Sequence, residues 1–210
     1  MAAIGLLFMI GLGVGSVAHG AMLANGSFEA PEMSVNSYAA TPITGWTTVV
    51  GSGDVFLING DGGIGAYLGP QQGSQWLYLQ SGSGSTYVEQ TVTGLTVGAA
   101  YSLDGFYGSP GRNEVTGSFK ISLVDGGNIL TETYVPPNVN WTAFNAPFTA
   151  TSGSATIQII SMSGGGGMVG IDNLTLNGGP VPEPMTIGLM ATGLLVLGGG
   201  RKRRLASTHS

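Results

Sequence analysis

The sequence predicts an all-β protein, an antiparallel β-sandwich flanked by an N-terminal signal-peptide helix and a C-terminal single transmembrane helix. Three observations carry that prediction. Apolar and polar residues alternate with a period of two through most of the central chain, as in strands with one buried face. The alternating runs are short and are separated by Gly-, Asn-, Asp- and Pro-bearing turns. Between the two ends, no stretch of ten or more residues has the apolar spacing of an amphipathic helix.

Residues 1–21 read as a signal peptide. The run Ile4-Gly5-Leu6-Leu7-Phe8-Met9-Ile10 supplies an apolar core, and small residues near Ala18-His19-Gly20-Ala21 suit cleavage. No Lys or Arg precedes the core, so either the free amine supplies the charge or the true start lies upstream. Within the expected domain, 22–178, Asn25–Glu29 reads as the first strand, followed by a loop holding Pro31 and Pro42. Thr47–Val50 and Asp54–Ile58 come next, before a Gly-rich loop at Asn59–Pro70. Gly73–Leu79, Thr86–Val92 and Ala100–Phe106 alternate, the last two separated by a turn at Thr93–Gly98. Gly117–Val124, a turn at Asp125–Asn128, and Ile129–Tyr134 follow. Trp141–Thr149, Ser154–Ser161 and Gly170–Leu176 close the domain, with Gly164–Gly167 as a loop tip. No repeat of fixed period occurs. Short strands at this spacing indicate a sandwich.

The chain has no cysteine, which removes disulfides and thiolate chemistry. The central region holds ten carboxylates against two cations, Arg112 and Lys120, a net charge near −8. That balance argues against nucleic acid as a partner. Gly is abundant, at 38 residues, but apolar and aromatic residues are too plentiful for a disordered chain.

The C-terminus is built in three parts. Residues 179–184 form a linker ending in Val181-Pro182-Glu183-Pro184, where two prolines favour an extended, protease-accessible backbone. Residues 185–200 carry no charge and span roughly 24 Å as a helix, slightly short of a bilayer core of about 30 Å. Residues 201–210 begin with Arg201-Lys202-Arg203-Arg204, which the positive-inside rule holds in the cytoplasm. An ordinary membrane anchor fits these features. Their order also resembles the PEP-CTERM sorting signal of Gram-negative, exopolysaccharide-producing bacteria. That resemblance implies export by the Sec machinery, a membrane-anchored precursor, cleavage by an exosortase, and release to the cell surface or extracellular matrix.

A second resemblance covers the domain. Asn25-Gly26-Ser27-Phe28-Glu29, Ile43-Thr44-Gly45-Trp46, Gly73-Ser74-Gln75, Glu89-Gln90-Thr91-Val92 and Ile171-Asp172-Asn173-Leu174 occur in an order that resembles the galactose-binding-like jelly rolls, carbohydrate-binding modules among them. The resemblance implies a jelly-roll sandwich and a structural calcium tying the first strand to the last. Mapped onto this chain, its ligands are the Glu29 carboxylate, the carbonyls of Ser27 and Gln75, and Asp172. Where such proteins often place an acid, this chain has Gln72, a weaker ligand. The competing reading is that Glu29 and Asp172 accept strand-edge hydrogen bonds.

Catalytic parts are scarce. The two histidines, His19 and His209, lie in segments expected to be removed. Asp54, Asp61, Asp104, Asp125 and Glu132 mostly sit beside Gly or Asn in expected turns, where carboxylates cap backbone N–H groups. The chain is therefore read as not an enzyme. Trp46 and Trp141 are expected in the core. Trp76 and Tyr78 share one strand face opposite Leu77 and Leu79, and with Tyr87 on the next strand they form a candidate glycan platform. Alternatively, these rings cover one sheet beneath a long loop. The leading reading is a non-catalytic surface protein binding exopolysaccharide or another glycan. The alternative is a structural or adhesive biofilm-matrix protein acting by self- or partner-assembly.

Overall fold

A computed structural model describes residues 23–40, 42–62, 68–80, 82, 85–111, 117–137, 139–162 and 167–179. The expected signal peptide, Pro-Glu-Pro motif, membrane segment and basic tail lie outside the described residues. Eleven strands form among those described: β1 (Tyr38–Ala39), β2 (Thr47–Val49), β3 (Asp54–Asn59), β4 (Gln75–Gln80), β5 (Thr86–Thr93), β6 (Ala100–Gly108), β7 (Phe119–Asp125), β8 (Asn128–Tyr134), β9 (Thr142–Thr149), β10 (Ser154–Ser161) and β11 (Met168–Gly178). They pair in a six-stranded sheet, β1-β3-β4-β11-β6-β9, and a five-stranded sheet, β2-β5-β10-β7-β8. Every pairing is antiparallel.

The period of two in the sequence becomes the wall of the core. Val88 and Val92 of β5, Ile157 and Ile159 of β10, and Ile121 and Leu123 of β7 face inward from one sheet. Leu77 and Leu79 of β4, Leu103 of β6, and Ile171 and Leu174 of β11 meet them from the other. At one end Phe119 stacks on Tyr134 at 5.2 Å, and Tyr107 and Phe144 close round them. Trp46 is buried against Phe28, as its segment predicts.

The expected first strand is instead a turn. Asn25 and Phe28 hold φ of 48° and 56°, and the Phe28 N–H donates to the Asn25 carbonyl at 3.2 Å. Asn-Gly favours this geometry, and the Asn25 side chain locks it by donating to the Ala30 and Thr44 carbonyls and accepting from the Ala30 N–H. Gly26 lies so close to β11 that a Cβ there would come within 2.1 Å of the Leu174 carbonyl oxygen. The Leu174 N–H donates to the Gly26 carbonyl at 2.8 Å, so the start of the domain is fastened to its last strand.

Candidate functional site

The outer face of the six-stranded sheet carries two separate groups of side chains. On one half, Trp76 and Tyr78 point away from Leu77 and Leu79, as predicted, but they do not form an open platform. Trp76 is fully buried and Tyr78 is 5 % exposed. Ile58 and Leu68 pack with them, and Phe56, Met168 and Trp141 lie against the cluster. Trp76 Nε1 donates to the Gly60 carbonyl at 3.0 Å and Trp141 Nε1 to the Gly69 carbonyl at 2.9 Å, so the two indoles hold Gly60 and Gly69 beside the cluster. Covering large rings removes a large apolar area from water. Trp141 therefore belongs to this outer cluster, half-buried and edge-on to Trp76, rather than to the central core.

The other half of the face is an open groove of about 410 Å³. Its centre is Asp104, which lies in the middle of β6 and not in a turn. Asp54 and Asp125 lie at strand ends, beside turns, Glu132 lies within β8, and Asp61 occupies a turn. Asp104 accepts hydrogen bonds from the Ser102 hydroxyl (2.9 Å), the Asn177 amide (2.6 Å) and the Asn145 amide. Burial pushes its pKa up, but the three donors together outweigh that and hold the carboxyl below the usual value of 3.8. Phe106 and Ala143, paired across β6 and β9, form the apolar wall, with Thr175 and Asn173 opposite. Sequence reasoning missed this group. That Ser102, Asp104 and Phe106 share the face opposite Leu103 was visible, but Asn145 and Asn177 join them only through the β6 register with β9 and β11.

Tyr87 belongs to the five-stranded sheet, where β5 pairs with β2 and β10. It cannot adjoin Trp76 and Tyr78, whose strand pairs with β3 and β11. Tyr87 instead stands half-exposed on the outer face of its own sheet, between Val49 and Ile160, with Lys120 beyond Ile160. Beside this row runs a polar one of Thr47, Glu89, Gln158, Ser122 and Thr131 in register. Gln158 Nε2 donates to Glu89 at 2.8 Å, and the Thr91 and Thr156 hydroxyls meet at 2.9 Å.

The expected calcium ligands lie at the junction of the Asn25 turn, the loop before β4, and β11. Glu29 accepts from the N–H groups of Ser74 and Gln75 and from the Ser74 hydroxyl. Asp172 is fully buried and accepts from the N–H groups of Gln71, Gln72 and Asn173. Burial pushes the Asp172 pKa up to about 7, and the like charge of Glu29 adds to the rise against the pull of these three donors. The Gln75 side chain is fully used: its Nε2 donates to the Phe28 and Pro31 carbonyls and its Oε1 accepts from the Met33 N–H. Gln75 can therefore offer a cation only its main-chain carbonyl. Ser27 sits in the turn that brings Glu29 to this junction. Glu29 Oε2 and Asp172 Oδ1 each receive a single hydrogen bond, so both retain room for a hard cation, which would offset the repulsion between them.

Residues 21–177 match the family model of the HpiC1-like proteins, HpiC1 cyclase. The chain belongs to the HpiC1-like family. A stretch of 166 residues is also 35% identical to Halomucin of Haloquadratum walsbyi, covering 74% of this chain but 2% of that protein's length. Among solved structures, the HpiC1-like chain is similar to the tandem CBM22 modules of Xyn10C from Paenibacillus barcinonensis, with TM-score 0.53 and 16% identity over 81% of this chain and 50% of that one. It is also similar to tailspike protein 4 of bacteriophage CBA120, with TM-score 0.52 and 17% identity over 75% of this chain and 21% of that one. An arabinose-bound α-L-arabinofuranosidase gives TM-score 0.53 and 15% identity over 75% of this chain and 26% of that one. At these identities the likeness concerns the fold, the jelly-roll sandwich of carbohydrate-binding modules.

Proposed function

We propose that this HpiC1-like chain is an exported, surface-sorted protein that binds extracellular polysaccharide without chemically changing it. The observation that carries the reading is the outer face of the five-stranded sheet. There a half-exposed Tyr87 offers an apolar ring face beside a row of hydroxyl, amide and carboxylate groups. Five strands at about 4.8 Å spacing make that face roughly 19 Å wide, enough for an extended chain rather than one sugar. The similarity to the CBM22 modules supports the same use of the fold. Of the aromatic candidates in the sequence, Tyr87 alone retains this role; Trp76 and Tyr78 are packed with Ile58 and Leu68.

Membership of a family named for a cyclase makes cyclisation the competing reading. Protonation chemistry needs a donor within reach of substrate and with a pKa near the working pH. Asp104 faces the groove but is held ionised. Asp172 has a suitable pKa but is fully buried, with its oxygens facing backbone N–H groups. Both properties favour binding over catalysis.

Calcium, held by Glu29, Asp172 and the Ser27 and Gln75 carbonyls, would serve as a structural clasp between the Asn25 turn and β11. The Pro-Glu-Pro motif, apolar segment and basic tail would direct exosortase processing at the membrane. A matrix role by assembly is favoured by one feature, the exposed Val135 and Val139 that follow the edge strand β8. The test is binding of the full chain, in mild detergent, to the producing organism's own exopolysaccharide, with and without calcium. Saturable binding lost in Tyr87→Ala, at unchanged melting temperature, supports the glycan reading. Absence of binding, with concentration-dependent multimers, supports assembly instead.

A further inference from the structure

The Asp104 groove lies on the sheet opposite Tyr87 and has more acceptor capacity than its own side chains use. Asp104 Oδ2 takes hydrogens from both Ser102 and Asn177, whereas Oδ1 takes one, from Asn145. An ionised carboxylate offers about four lone-pair sites, so Oδ1 retains one. Turning both amide groups toward Asp104 leaves their carbonyl oxygens as further acceptors. All of Asp104's hydrogen-bond donors are neutral, and Lys120, the one cation among the described residues, is on the other sheet. A fixed negative charge among spare acceptors, beside the Phe106 ring, complements a ligand with donors, positive charge and an apolar ring face.

We propose that this groove is a second ligand site, taking a sugar unit that carries a free ammonium group. The ammonium sits on Asp104 Oδ1, the sugar's apolar face lies against Phe106 and Ala143, and the remaining hydroxyls meet Asn145 and Thr175. A lysine side chain presents the same cation, but its flexible stem has no ring to lay on Phe106 and no hydroxyls for the surrounding acceptors. With one site on each sheet, a single domain would bridge two polysaccharide chains.

The experiment is calorimetric titration of the full chain in mild detergent with a glucosamine tetrasaccharide. Its fully N-acetylated counterpart and tetralysine are run in parallel. The expected result is saturable binding of the amine form, weakened about tenfold or more by acetylation and weakened by added salt. Asp104→Asn should abolish it. Ala143→Lys should also abolish it, by placing a tethered ammonium in the groove from an exposed position outside the hydrogen-bond network. Thermal melting checks that both variants are folded. Tyr87→Ala should leave this binding intact, which separates its failure from failure of the exopolysaccharide reading. Equal binding of the acetylated sugar, tighter binding of tetralysine, survival of binding in both groove variants, or no binding of the amine form would overturn the proposal.

Discussion

Gln75 shows how a single polar side chain can organise a region. It is fully buried in β4 and satisfies three backbone groups of the Phe28–Met33 segment, which has no ladder of its own. Gln75→Ala strands all three, and each unsatisfied buried group costs about 1–3 kcal/mol. A loss of about 3 kcal/mol or more is expected in chemical denaturation, and a loss under about 1 kcal/mol would mean that water replaces the amide. Asp125 plays the equivalent part at the β7–β8 turn, accepting from the N–H groups of Thr151 and Ser152. Burial raises its pKa, but these donors win and leave the carboxyl below 3.8. A carboxyl lowered by folding stabilises the protein above its unfolded pKa, and that stability disappears as pH falls through the lower folded value. Melting temperature should therefore decline below about pH 4, and Asp125→Asn should flatten that decline while lowering stability at neutral pH. An identical acid slope in the variant would remove Asp125 from the account. The Asp125 turn was legible, since Asp-Gly-Gly-Asn can do little else. The Gln75 clamp was not, because its partners lie more than 40 residues away.

At the scale of the element, period two identified ten of the strands, and β1, only two residues long, was too short to show it. Alternation also assigned β4 its two faces correctly. It could not say whether the second face met water or other residues, because that depends on where Gly60, Leu68 and Gly69 come to lie. Here Gly60 and Gly69 each present a carbonyl to an indole N–H, and Leu68 fills the space over Trp76. The same limit placed Tyr87 beside Trp76, when strands adjacent in sequence had in fact parted to different sheets. These placements predict opposite outcomes for two aromatic substitutions. Trp76→Ala opens a cavity among Ile58, Leu68 and Tyr78 and should cost about 3–5 kcal/mol. Tyr87→Ala removes a half-exposed ring and should change stability by less than about 1 kcal/mol. Equilibrium denaturation of the two variants decides between them, and comparable losses would mean that Tyr87 is part of the packing rather than a ligand surface.

For the molecule as a whole, sheet order is what joins distant pieces of sequence into sites, and the Glu29–Asp172 junction is its clearest case. β11 lies between β4 and β6, so the last strand delivers Asp172 to the loop before β4 while pairing with the Asn25 turn through Gly26. The ordered motifs of the sequence point to this meeting. The competing expectation, that both carboxylates accept hydrogen bonds, is met: N–H groups of Gln71, Gln72 and Asn173 reach Asp172, and those of Ser74 and Gln75 reach Glu29. With N–H donors on both carboxylates, the clasp can close without a metal, and calcium would add to it rather than create it. Added calcium should therefore raise the melting temperature of the full chain by a few degrees, since about 1 kcal/mol moves a domain of this size by roughly 2–4 °C. Chelator should return it to a folded, less stable baseline rather than unfold it. Asp172→Asn keeps the side chain's shape but removes the charge, so it should abolish the calcium-dependent rise. A melting temperature indifferent to both calcium and chelator would leave the hydrogen bonds as the entire clasp. A chain that unfolds in chelator would mean that the junction depends on the ion, and that the N–H donors to Glu29 and Asp172 are too weak to hold two carboxylates together.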